Sequence, residues 1–403
     1  MTSPVDTSVK YFSSTMPGAP VLSGTAGALV ALLDACLKDG FDTKTLTSLV
    51  VAGGVATATY AGTHSALVDS VVLIAGVTGG PTGWAGLNGE QKIVTKPGTT
   101  SVTFATTLPD GAATGTITMK MAPLGWLKPF SGTNVGAYKS NDITSTGCVL
   151  RVDDTGTTIA RVVGYESMSD INTGLGPFPT TAQISGGGYW PKSSVASGTA
   201  AGWVIAGDSR GFIIHSQAGL ASGVANVHGF TRYFGDMICY KPGGDPFSCV
   251  LSYSATATPQ SMSDGTIDGS SVIQIASPRS YTGIGSSVLQ GCFPMTGTSG
   301  AISGVDSLLG SFPSVVDGSL RLSRRYFAAL SSAAPPRGEV PGWFTVPQSA
   351  LFDTFRTMDR VTAAAPYAGR RLLAVNGSNS SLASAPSLSN TGAGFIDITG
   401  PWR

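Results

Sequence analysis

Gly394-Phe395-Ile396-Asp397-Ile398-Thr399-Gly400-Pro401-Trp402-Arg403 decides how this chain is read. A strand-like alternation runs through Phe395, Ile396, Asp397 and Ile398, with the period of two that a half-buried strand requires. It stops at Gly-Pro-Trp, where glycine and proline break regular structure. Upstream, Arg370-Arg371-Leu372-Leu373-Ala374-Val375 is a second apolar run of strand length. These two runs are expected to complete the sheet of a larger β-domain, with Trp402 capping its edge.

The same style of sequence extends over the chain. Apolar residues make up 42% of the 403 residues and charged residues 12%, with 54 glycines. The charged share is about half the usual one, and glycine is nearly twice its usual level. Val, Leu, Ile, Phe and Trp are spread along the whole length, so the composition supports packed cores rather than disorder. Many short strands between Gly, Pro, Asn and Asp turns indicate a mainly β, multidomain chain of antiparallel sandwich or barrel-like units with one short N-terminal helix.

Residues 1–24 read as an extended arm, because Pro4, Pro17 and Pro20 oppose helix. Thr25 to Lys38 carries the helical stripe Leu29, Leu32, Leu33, Cys36, Leu37, with Thr25 placed to cap its start and Gly40 its end. Leu49-Val50-Val51-Ala52 and Val55 to Tyr60 form a hairpin around Gly53-Gly54. Val68 to Val77 is a continuous apolar strand, and Ser101–Ala105 and Thr116–Met121 flank a Pro109-Asp110-Gly111 turn. The units expected are 25–122, helix plus small antiparallel β-domain; 123–140, a Pro/Trp junction anchored by Trp126 and Phe130; and 141–403, a larger β-domain. Its Ser-, Gly- and Thr-rich 255–320 segment reads as an excursion. Strands Cys148–Asp154 and Ile159–Glu166 carry a charge ladder in which Arg151 and Arg161 face Asp153, Asp154 or Glu166. The plain reading is solvated cross-strand pairs.

Chemistry is hard to nominate. Gly207-Asp208-Ser209-Arg210-Gly211 lies near the Gly-Asp-Ser-Gly-Gly of chymotrypsin-like proteases, with His64 upstream, and Gly297-Thr298-Ser299-Gly300 is a second partial match. Arg210 replaces the glycine that shapes the oxyanion loop, and a triad needs its histidine at hand. Asp-Ser-Arg-Gly between strands is an ordinary turn. His64, His215 and His228 have no metal-ligand spacing, so no metal is expected. Asp153-Asp154 alternate across a strand and cannot serve one cleft as paired acids. Gly186-Gly187-Gly188 is no phosphate loop, since no Gly-Lys-Ser/Thr and no helix follow it; it lets the backbone pass close to large rings. Tyr189-Trp190 beside Lys192 are the possible contact for a partner or a glycan, against the plainer reading of a structural plug. No cofactor and no catalytic residue is expected.

A net charge of +1 makes no electrostatic case for nucleic acid or an anionic membrane. No apolar stretch reaches the roughly 18 residues of a membrane span, and Met1–Asp6 has no signal-peptide pattern. Five cysteines without Cys-x-x-Cys spacing fit reduced thiols, with a Cys239–Cys249 bridge left open.

Several segments resemble virion structural proteins of tailed bacteriophages and prophages. They are Ser3-Pro4-Val5-Asp6-Thr7, Ser14 to Ala28, Leu87-Asn88-Gly89-Glu90, Ala122-Pro123-Leu124-Gly125-Trp126, Lys128-Pro129-Phe130, Arg151 to Gly156, Gly164-Tyr165-Glu166, Gly369 to Leu373 and Asp397 to Trp402. The resemblance implies a particle component made in the host bacterial cytoplasm. Tail, baseplate or tail tip is the first location and an accessory (decoration) place on the capsid the second. Partners would be other virion proteins and copies of itself. A receptor- or glycan-binding tail module is the rival, and a glycan-degrading tail protein the enzymatic one. No catalytic residue is transferred by it.

Overall fold

The computed structural model describes residues 3–219, 228–268, 274–294, 310–330, 335–348, 351, 354–378, 381–382 and 391–403. The chain is mainly β, with antiparallel sheets that include a closed six-strand barrel and a half-barrel.

The barrel begins at the expected hairpin. Phe41–Ala52 pairs with Val55–Tyr60 from Ala52↔Val55 to Leu46↔Tyr60. The ring then runs through Ser101–Ala105, Gly89–Gly98, Val71–Ala75 and Thr118–Met121. It returns to the first half of Phe41–Ala52, whose length lets it pair on both sides and close the ring. Small Ala56 and Ala58 and large Phe104, Ile93 and Met119 are fully buried together, the mixture of sizes that fills a narrow barrel. Ser101–Ala105 and Thr118–Met121 therefore lie apart in the ring, although the sequence reads as a hairpin between them. Gly53 and Gly54 sit at φ 57° and 77°, the left-handed values of a two-residue hairpin turn. A Cβ at Gly53 would meet nothing within 4 Å. Gly53→Ala should therefore cost only the backbone strain, about 1 kcal/mol by chemical denaturation. A loss several times larger would show that the turn is packed.

The α-helix is shorter than its stripe suggests. It spans Ala28–Leu33 and continues as a π-helical turn over Asp34–Asp39. Leu29, Leu32, Leu33, Cys36 and Leu37 are all fully buried, as the periodicity requires. The cap differs: Gly27 precedes the helix without a side-chain cap. The carboxylate of Asp154 instead accepts the Leu29 (2.6 Å) and Val30 (3.1 Å) N–H groups. A distant strand end replaces Thr25 in satisfying the helix donors.

A six-stranded sheet follows. Leu127–Gly132, Val135–Lys139, Val149–Asp153, Ile159–Met168 and Gly174–Phe178 lie in sequence order, and Gly188–Pro191 shares Ile159–Met168. Pro129 occupies the edge strand, where a missing N–H does no harm. Trp126 anchors the preceding junction, edge-on to Phe212 at 5.3 Å, with its Nε1 donating to Asp208 O (3.0 Å). Phe130 remains half-buried.

The longest sheet has eleven strands. Lys10–Ser13 and Leu22–Ser23, from the N-terminal segment, both pair with Ala200–Gly207. The sheet continues through Gly211–Gln217, Phe230–Asp236, Cys249–Ser252, Ile275–Ser277, Val288–Pro294, Arg325–Ala329, Gly338–Glu339 and Ile238–Cys239. Only Met237 separates Phe230–Asp236 from Ile238–Cys239, yet the two stand far apart in strand order. A one-residue link can do this only if the sheet curls round, which makes it the half-barrel. The Ser/Gly/Thr-rich 255–320 segment supplies two of these strands.

Phe395–Ile398 and Leu372–Val375 do not join that sheet. Trp343–Thr345, Thr391–Asp397, Arg371–Ser378 and Arg360–Thr362 form a separate four-stranded sheet. It is stitched to the long sheet by the parallel bridge Gly229↔Gly377 and by Ser323↔Thr345. The closing residues are a seam between units. Lys92 of the barrel donates to Ile398 O and Thr399 O (2.7 and 2.8 Å). Trp402 Nε1 donates to Asp397 O (2.7 Å), and Arg403 holds Asp208 on the long sheet (2.9 Å).

All five thiols are free. Burial holds Cys249 well above its ordinary value, with Cys148, not Cys239, within hydrogen-bonding reach. Among the described residues no helix is long and apolar enough to cross a membrane.

Candidate functional site

Strand alternation sorts the three residues marked by the sequence. Gly188–Pro191 points Trp190 inward, 1% exposed, with Phe212 edge-on at 6.1 Å and its Nε1 donating to Ser252 O (2.8 Å). Lys192 is fully buried, ion-paired with Asp154 and donating to Thr25 O and Gly156 O (2.7 Å each). Burial lowers its pKa and raises that of Asp154. Tyr189 alone is half-buried, and the Arg161 guanidinium lies 4.1 Å over its ring. Of the glycine run beside them, only Gly188 lies against a ring, and that ring is Tyr253: a Cβ there would stand 2.3 Å from Tyr253 Cγ, whereas Gly186 and Gly187 lie against Arg161 and Val163.

The charge ladder is also rearranged. Arg151 keeps Asp153 at 3.4 Å. Arg161 turns to the Ser185 and Gly186 carbonyls. Glu166 is held bidentately by Arg279 (2.7 and 2.9 Å), and Asp154 is the buried partner of Lys192, not a solvated one.

Gly207-Asp208-Ser209-Arg210-Gly211 is a hairpin turn between Ala200–Gly207 and Gly211–Gln217. Asp208 Oδ1 accepts the Arg210 and Gly211 N–H groups (2.8 Å each), and Ser209 Oγ donates to Asp142 (2.9 Å). His64 lies buried at the barrel, accepting the Ala66 N–H at 2.9 Å. Ser209 and His64 are thus engaged with separate partners. Gly297–Gly300 lies outside the described residues.

His215 and His228 do come together, as neighbouring strands permit. His215 shares a 3.0 Å hydrogen bond with Thr231, which donates to Asp268 (2.7 Å). Burial drives His215 down to about 3, with His228 adding to the shift, and drives His228 down to about 4. Among the described residues no three His, Cys, Asp or Glu side chains stand together as metal ligands.

Two open features lie at the four-stranded sheet. A cavity of about 440 Å³ is lined by Arg324, Trp343, Tyr367, Arg370, Asp397 and Trp402 among others. A second, of about 540 Å³, has walls from Arg321, Leu322, Val361, Tyr367 and Leu372. Both share Pro366 and Tyr367. The loop bearing Tyr367 joins Arg360–Thr362 to Arg371–Ser378 and is closed by Ala363 N–H to Arg370 O (2.8 Å) and Arg370 N–H to Tyr367 O (3.0 Å). Phe344 packs on Tyr367 with ring centres 4.7 Å apart, and Arg324 lies 5.8 Å over the Tyr367 ring. A third cavity, of about 290 Å³, is more apolar, with Tyr240, Tyr281, Val288, Pro335 and Pro336 in its walls.

Sequence reasoning missed these residues. Arg324 and Tyr367 lie in no motif, and Arg370 enters the sequence reading as the start of an apolar run, not as a site residue.

No protein-family model matches the chain, and no curated protein matches it. Among solved structures it is similar to phage phi92 endosialidase, at a TM-score of 0.17 and 8% identity. The match covers 89% of this chain and 52% of that one, so the chain spans about half the length of that protein. A likeness of this size carries no assignment.

Proposed function

We propose that the chain is a structural subunit of a tailed-bacteriophage particle, acting through repeated contact with copies of itself and with other particle proteins. Tail, baseplate or tail tip is the first location, and a decoration site on the capsid the second. The particle context rests on the resemblance of the segments named above.

One observation carries the mode of action. Large apolar side chains stand in water on hydrogen-bonded turns: Ile143 is 99% exposed, Val315 94% and Val316 85%. Ile143 follows Asp142, whose carboxylate accepts the Thr144 N–H (2.9 Å) and hydroxyl (2.7 Å). Val315 and Val316 tip the turn in which Gly318 N–H donates to Ser314 O (2.7 Å). Ordering a turn costs conformational entropy. Apolar side chains ordered in this way bury nothing in the subunit itself and are available for burial against a neighbour. The low charge of the chain adds little repulsion between copies.

Quantitative mass spectrometry of purified particles should find this chain at a fixed, multiple copy number. Its absence from mature particles would overturn the proposal.

A further inference from the structure

We propose that the double cavity around Tyr367 is a binding groove for a neutral, linear oligosaccharide. This goes beyond the subunit-contact reading and stands independently of it. The argument rests on size, chemistry and charge. Cavities of about 440 and 540 Å³ fall in the usual range of small-molecule sites, about 300 to 1,000 Å³. Because they share Pro366 and Tyr367, they are two adjoining chambers, which suits a chain of repeating units better than a single compact ligand.

The walls supply what a sugar needs. Tyr367 offers an aromatic surface for the apolar face of a pyranose and is already oriented by Phe344, Arg324 and a closed loop. Little ordering remains to be done on binding. Planar hydrogen-bonding groups surround it. Arg324 reaches Glu339 at 2.8 Å and Arg370 reaches Asp397 at 3.0 Å, each leaving further N–H donors and carboxylate lone pairs for hydroxyls. Trp343 lines the first chamber as well.

Charge balance selects a neutral ligand. The three arginines at the groove each face a carboxylate: Arg324 with Glu339, Arg370 with Asp397, and Arg321 with Asp317 (2.8 Å). No unmatched cation is left among the described lining residues to neutralise a sugar acid. A peptide adding as a strand would need an open sheet edge. On the Trp343–Thr345 side that edge is taken, because Ser323 and Thr345 exchange both backbone hydrogen bonds at 2.8 Å.

The test is calorimetric titration of the purified chain with linear neutral hexose oligosaccharides and with matched sets carrying uronic acids. Neutral chains should bind. Tyr367→Ala should weaken binding about tenfold in protein that still melts cooperatively, with some loss of melting temperature from its contact with Phe344, while Tyr367→Phe keeps most of the affinity. Tyr281→Ala, at the separate apolar cavity, should have no effect. Failure of every neutral set to bind, binding confined to the acidic sets, or binding indifferent to Tyr367→Ala would each overturn the proposal.

Discussion

Asp154→Ala is expected to destabilise the fold by about 3 to 5 kcal/mol, the usual consequence of leaving a buried charge without its partner. Asp154 and Lys192 are both fully buried and ion-paired. Asp154 also accepts the Leu29 and Val30 N–H groups in the first turn of the helix, and Lys192 also donates to two carbonyls. The pair therefore ties the helix, the end of Val149–Asp153 and the strand Gly188–Pro191 together. Removing the carboxylate strands the ammonium and exposes the helix donors at once. Removing both charges is another matter, because an apolar replacement of similar shape avoids the desolvation cost. Asp154→Ala with Lys192→Met should therefore recover a substantial part of the loss in denaturant melts. If the single variant proved neutral, Asp154 would be neither cap nor anchor.

Acid should weaken the protein through His215 and His228. Their folded values, about 3 and about 4, lie below the ordinary 6.5. Above 6.5 both rings are neutral in either state, and they add nothing to pH dependence. Below it the unfolded chain takes up protons that the folded chain refuses. Stability then falls by about 1.4 kcal/mol per pH unit for each histidine, until the folded values are reached. Over the window from 6.5 to about 4 the loss is on the order of 6 kcal/mol. Its structural focus is predictable. Gly229, next to His228, donates to Asn376 O (2.8 Å) and accepts from Ser378 N–H (3.1 Å), the stitch between the long and four-stranded sheets. Hydrogen exchange at Gly229 and Ser378 should accelerate first. His215→Asn with His228→Asn should flatten the stability profile in that window. An unchanged slope would contradict the assignment, and slope is insensitive to any constant loss from the substitutions themselves.

Local order was legible where local forces decide it. Alternation and two adjacent glycines specify Leu49–Tyr60, and the stripe from Leu29 to Leu37 specifies a buried helical face. What lay beyond reading was decided by residues distant in sequence. Asp154 caps a helix more than a hundred positions earlier in the chain, and Glu166 finds Arg279 instead of a cross-strand neighbour. Lys192, read as a possible partner contact, is internal. The barrel closes because Phe41–Ala52 pairs on both sides, which no turn motif announces. Phe395–Ile398 and Leu372–Val375 were recognisable as strands, but their own four-stranded sheet follows from where Trp343–Thr345 and Arg360–Thr362 pair. The Tyr367 groove exists only because of that sheet, so no short motif could mark it.

The ordered apolar turns are proposed to meet neighbouring subunits, and a side-chain-resolution reconstruction of the intact particle would show whether they do. Ile143 and the Val315-Val316 tip should each be buried against another chain at a repeated, symmetric contact. The same side chains facing solvent in the assembled particle would contradict it.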